Sequence, residues 1–207
     1  MVRRARYPPS VGDPQEQPAR KRPPVHWGKI APCEHIVQVY RSDDFFLDAL
    51  EAYAAEGLTC GEGVITIATP DHRRALAHRL AGRGINLDTA RAEERYIELD
   101  ADETLAQFMT DGLPDEQRFR AVVLDLLARG AEGPGGARRV RAFGEMVALL
   151  WMRGESAAAL RLEELWHTIC HGEQLTLFCA YPRSVFTADA EAAILRVCAA
   201  HSRIIGG

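Results

Sequence analysis

GVITIATPDH, residues 63–72, decides the fold. An apolar run with no polar face ends at Thr69-Pro70, a capping residue followed by proline at the first position of a helix. A strand apolar on both faces needs helices on both sides of its sheet. LTLFCA (175–180) has the same character, and HIVQVY (35–40), Tyr96–Leu99 and Val140–Phe143 complete a set of five strand candidates. Longer stretches with helical period separate them: Asp43–Glu56, Pro70–Gly82, Ala101–Thr110, Pro114–Arg129, Glu145–Met152, Ser156–His171 and Thr187–His201. Strands alternating with helices predict an α/β fold, a three-layer sandwich around a mainly parallel sheet. FRAVVLDLL (119–127) has the look of a metal-holding strand around Asp125. Its apolar residues Phe119, Val122, Val123, Leu126 and Leu127 fall at i, i+3, i+4, i+7 and i+8, so it reads as a helix.

The 207 residues divide at residue 32. The first 32 hold seven of the eleven prolines and seven Lys or Arg against two acids, a net charge of +5, with no helical or strand period. They are expected to be a disordered basic tail, and residues 33–207 a single domain. The body is acidic, at −9, which disfavours direct nucleic-acid binding. Lys21 and Lys29 are the only lysines, so the body has none for a Schiff base or a phosphate loop. Five cysteines without a C-x-x-C, no apolar leader, and no run near the ~20 apolar residues of a membrane span suggest a cytoplasmic protein.

Ligand crevices of open parallel sheets lie beyond the carboxyl ends of the strands. Those ends offer Arg41, Ser42 and Asp43 after the first strand, Asp71 and His72 after the second, and Asp100 after the third. Gly144 and Glu145 follow the fourth, and Tyr181 the last. The first of these turns, Tyr40–Phe46, lacks the glycines and lysine of a phosphate cradle. Asp43 and Asp44 instead stand at the positive end of the next helix, where they would repel a triphosphate. Ser42 and Asp43 also suit plain helix capping. Glu145, after a glycine, is placed to orient a water or a ligand, or simply to sit as an acid in a helix's first turn. WHTICH (166–171) brings His167, Cys170 and His171 together at helical spacing. Without a glutamate of the zinc-protease kind or a second cysteine pair, it reads as a helix end rather than a metal site. No catalytic motif, cofactor motif or metal site is expected.

HIVQVY, LTCGEGVITIATPDH, VRAFGEMVALLWMRG, LRLEELWH and LTLFCAYP, taken in order, resemble the MEDS family over roughly His35–Phe186. That family is the sensory domain of methanogen and methylotroph regulators, of the type found in the repressor of dichloromethane dehalogenase. The resemblance implies a RecA-like fold, similar to P-loop NTPases, whose nucleotide site is degenerate. It also implies a non-catalytic role in signal transduction or transcription control. The FGEMV glutamate maps to Glu145, the pair on the first strand to His35 and Tyr40, and the CAYP tyrosine to Tyr181; the family's usual asparagine after LEELW is here His167. The expected ligand-binding set is thus Tyr40, Arg41, Asp71, His72, Asp100, Glu145 and Tyr181. It would serve a small molecule or a signalling partner such as a kinase, anti-sigma factor or transcription regulator. Nucleotide binding or assembly as a homo-oligomeric scaffold are the alternatives.

Overall fold

A computed structural model describes residues 34–133, 135–173, 175–185 and 201–206. The basic tail and all but the last residue of the helix expected at 187–201 lie outside these. Among the described residues no helix is long and apolar enough to cross a membrane.

The sheet has six strands, all parallel: β1 (His35–Tyr40), β2 (Gly63–Ala68), β3 (Tyr96–Asp100), β6 (Val140–Gly144), β7 (Leu175–Pro182) and β8 (Arg203–Gly206). Their order is β3-β2-β6-β7-β1-β8. Side chains alternate between two cores, as strand geometry requires. Ile36, Tyr40, Val64, Phe143 and Phe178 face α1 (Asp43–Thr59), α2 (Pro70–Gly82) and α3 (Leu87–Ala92). Val37, Ile65, Ala142, Leu177 and Tyr181 face α4 (Ala101–Phe108), α5 (Glu116–Ala131), α6 (Met146–Met152) and α7 (Ser156–Gly172). This is the three-layer sandwich that the two-faced apolar strands demand. The β2–α5 contact is close: a Cβ on Gly63 would lie 2.1 Å from the Gly130 carbonyl oxygen, so only glycine fits.

Three details differ from the sequence reading. Residues 109–114 are a small hairpin, β4 (Met109–Thr110) and β5 (Leu113–Pro114), not the end of one helix and the start of the next. Asp111 and Gly112 both have positive φ, 50° and 80°, the backbone of a tight hairpin turn. Asp115 then caps α5 by accepting the Arg118 N–H at 2.8 Å. The α3 turn is capped by the Asn86 side chain at 3.0 Å to the Thr89 N–H. At the far edge, β8 is a four-residue strand, too short to show a period, that pairs with β1 from Ile36↔Arg203 to Val39↔Gly206. The segment around Asp125 is helical, and Asp125 lies on the exposed side of α5, 3.7 Å from Arg129.

Candidate functional site

Where the chain turns back on itself, the carboxyl ends of β2 and β6 lie side by side. After β2 it continues into α2 on one face; after β6 it continues into α6 on the other. Ligands of open α/β sheets characteristically bind at such switch points, outside the carboxyl ends of the strands. Glu145, whose own N–H donates to the Ile67 carbonyl at 2.9 Å, is held there. Its side chain does not cap α6. It crosses to α2, where Oε2 accepts the Thr69 N–H at 2.9 Å and the Thr69 hydroxyl at 3.2 Å. Oε1 accepts His72 Nδ1 at 2.8 Å.

His72 and Tyr40 complete this centre through Phe46, which stacks on Tyr40 at 4.8 Å, meets the His72 ring edge-on at 4.9 Å and touches Phe143 at 5.5 Å. Burial opposes the positive charge of His72. The hydrogen bond and charge of Glu145, with Asp43 and Asp71, outweigh it and raise the imidazole above its ordinary range. Burial, then Glu145 and Asp43, pushes the Tyr40 phenol up, so Tyr40 is a neutral donor at any physiological pH. Beneath them the Gln38 amide is fully buried in the same strand, with neither its nitrogen nor its oxygen hydrogen-bonded among the described residues.

The other rim residues stand apart from this centre. Asp71 is on the surface and paired with Arg74 one turn on. Asp100 caps α4, accepting the N–H groups of Asp102 and Glu103 at 2.9 and 3.1 Å, with Arg73 3.8 Å away. Arg41 is exposed at the bend between β1 and α1. Tyr181 is fully buried but belongs to the core on the opposite face from Tyr40. Ser42 caps α1, accepting the Phe45 N–H at 3.3 Å. Thr69 and Phe46 were missed by the sequence reading. The Thr69-Pro70 pattern signals a helix cap, yet the Thr69 side chain caps nothing in α2 and bonds Glu145 instead.

A second cluster lies on the other face. His35 of β1, Glu163 of α7, Cys179 of β7 and His201, just before β8, are all buried, and each brings one nitrogen, oxygen or sulfur atom within 4.8 Å of the other three. His35 Nε2 is 3.4 Å from Cys179 Sγ and 3.7 Å from Glu163 Oε2; His201 Nε2 is also 3.7 Å from Glu163 Oε2. Burial pushes the Glu163 carboxyl up to about 8. Burial, with Glu163 and Cys170 nearby, raises the Cys179 thiol well above its ordinary value. Local motifs give no warning of this cluster. The run of metal-ligand residue types at His167, Cys170 and His171 takes no part in it: both imidazoles are on the exposed side of α7, and Cys170 is buried in the core.

A depression of about 700 Å³ is lined by Glu93, Ala128, Glu132, Gly133, Gly136 and Arg138, at the amino end of β6. None of the rim residues borders it.

Fold and rim together define a small parallel α/β domain with a polar centre at the carboxyl ends of its middle strands. The model of the MEDS family, described as MEthanogen/methylotroph, DcmR Sensory domain, matches residues 34–202, and the chain belongs to that family. Comparison with curated proteins finds no match.

Proposed function

We propose that this sensory domain responds, without catalysis, to a small molecule bound beyond the carboxyl ends of β2 and β6, against His72, Glu145 and Tyr40. The observation that carries this reading is the half-buried His72 hydrogen-bonded to the buried Glu145 at the switch point, walled by Tyr40, Phe46 and Phe143. The same pair suggests how binding becomes a signal. Glu145 ties the start of α2 to the turn between β6 and α6, that is, one helical layer to the other. A polar ligand that takes over the bonds of His72 or Thr69 loosens this tie, so two arrangements of α2 acquire different affinities for it. A separate signalling protein, such as a kinase, anti-sigma factor or transcription regulator, would read the difference.

The test is a thermal-shift panel of small polar organic compounds, with MgATP included, on the wild type and on Tyr40→Phe and His72→Gln. A true rim ligand raises the wild-type melting temperature and binds about tenfold more weakly to His72→Gln, the equivalent of one lost hydrogen bond. MgATP should give no shift. A compound that shifts all three proteins equally, or saturable binding of MgATP, contradicts the reading.

A further inference from the structure

We propose that His35, Glu163, Cys179 and His201 form a closed site for a divalent metal ion of the zinc class, which clamps the C-terminal strand β8 onto the sheet. The inference is independent of the rim, shares no residue with it, and departs from the expectation of no metal site.

Geometry is the first support. Zinc bonds of about 2.0–2.3 Å to nitrogen, oxygen and sulfur place the ligand atoms of a tetrahedral site roughly 3.3–3.7 Å apart. Three of the six distances measure 3.4, 3.7 and 3.7 Å and all lie within 4.8 Å, so a contraction of the cluster by about 1 Å at most would close the shell. Donor chemistry is the second. Two imidazoles, one thiolate and one carboxylate are all zinc ligands, and thiolate with imidazole disfavours magnesium and calcium.

The third support is the state of Glu163. Its residue is 3% exposed, and neither carboxylate oxygen has a hydrogen-bond partner among the described residues. A buried acid without donors is costly unless a cation answers it. A dication with one thiolate, one carboxylate and two neutral imidazoles has no net charge, which is what a dry interior tolerates. Binding forms four coordinate bonds and releases the Cys179 thiol proton, with any proton on Glu163, to solvent.

Four protein ligands leave no open position, the pattern of structural rather than catalytic zinc. What such an ion would hold follows from the chain. His201 precedes Ser202, whose N–H donates to the His35 carbonyl at 2.7 Å and whose Oγ accepts the His35 N–H at 2.9 Å. Pairing of β8 with β1 begins at the next residue. The ion would therefore join the two imidazoles that flank this junction to Glu163 of α7 and Cys179 of β7.

The experiment uses the full chain, stripped with a chelator and titrated with Co²⁺ and then Zn²⁺. The wild type should take up one equivalent of Co²⁺ with intense tetrahedral d–d bands and a thiolate-to-cobalt charge-transfer band, and Zn²⁺ should displace it. Glu163→Gln should weaken binding at least about tenfold. Cys179→Ser should abolish the charge-transfer band. Because the exposed His167 and His171 rings, 4.1 Å apart, offer a surface site for added metal, binding must survive His167→Gln with His171→Gln. Amide exchange at residues 203–206 should slow with Zn²⁺ in the wild type and not in Glu163→Gln. If Cys179→Ser fails to fold, Glu163→Gln and the histidine double variant still decide the matter. Uptake equal in wild type and Glu163→Gln, uptake lost with His167 and His171, or cobalt bound without the charge-transfer band would overturn the site. None of these outcomes bears on the rim, whose panel uses variants that leave all four residues intact.

Discussion

Glu145 and Glu163 are both buried carboxylates, 4% and 3% exposed, and the chain surrounds them in opposite ways. At the rim, Glu145 accepts from the Thr69 backbone, the Thr69 hydroxyl and His72. Under α7, Glu163 finds two imidazole nitrogens at 3.7 Å and a buried thiol nearby, and among the described residues neither of its oxygens has a hydrogen-bond partner. Burial alone thus says little about a carboxylate's role. Donors make Glu145 a tie between elements, and their absence leaves Glu163 suited to a cation.

A third carboxylate calibrates the comparison. Glu62 is buried against Arg141, which also reaches the Tyr53 carbonyl at 3.4 Å and lies over the Tyr53 ring. Here the cation is supplied by the protein itself. Arg141→Met should turn Glu62 into a poorly answered acid, with Arg139 at 3.8 Å as its one remaining cation among the described residues, and cost about 3 to 4 kcal/mol in urea denaturation. A loss below about 1 kcal/mol would mean that an unanswered acid is tolerated in this fold, weakening the contrast with Glu163.

The rim makes a smaller prediction, in pH. The folded-state pKa of His72 is raised, so its contribution to stability is fully present below the ordinary histidine value of about 6.5 and is lost as pH rises through the raised value. Melting temperatures followed upward from pH 6 should fall more steeply in the wild type than in His72→Gln. Parallel curves would mean that the pair with Glu145 does not stabilise the charged imidazole.

Much of the sandwich was legible because GVITIAT and LTLFCA have no polar face, and because Thr69-Pro70 marks its own helix start. The hairpin at 109–114 was not, since its signal is two residues, Asp111-Gly112, between segments with helical period. Nor was β8, four residues whose strand character comes from the neighbouring β1. At the rim, strand ends pointed to His72 and Glu145 and the family resemblance to Tyr40, but alternation along β7 sends Tyr181 to the other face. The buried cluster was the least legible part. His35, Glu163, Cys179 and His201 are far apart in sequence, and only the pairing of β1 with β7 and β8, with α7 packed above, brings them together.

The contrast is tested most directly by urea denaturation of the chelator-treated protein carrying Glu145→Met or Glu163→Met, each against the wild type. Glu145→Met should destabilise by about 2 to 3 kcal/mol, because the Thr69 N–H, its hydroxyl and His72 lose their acceptor. Glu163→Met should stabilise by about 1 to 2 kcal/mol, because it removes an acid that no donor answers. Opposite signs are the result the two environments require; a loss of similar size in both variants would contradict them.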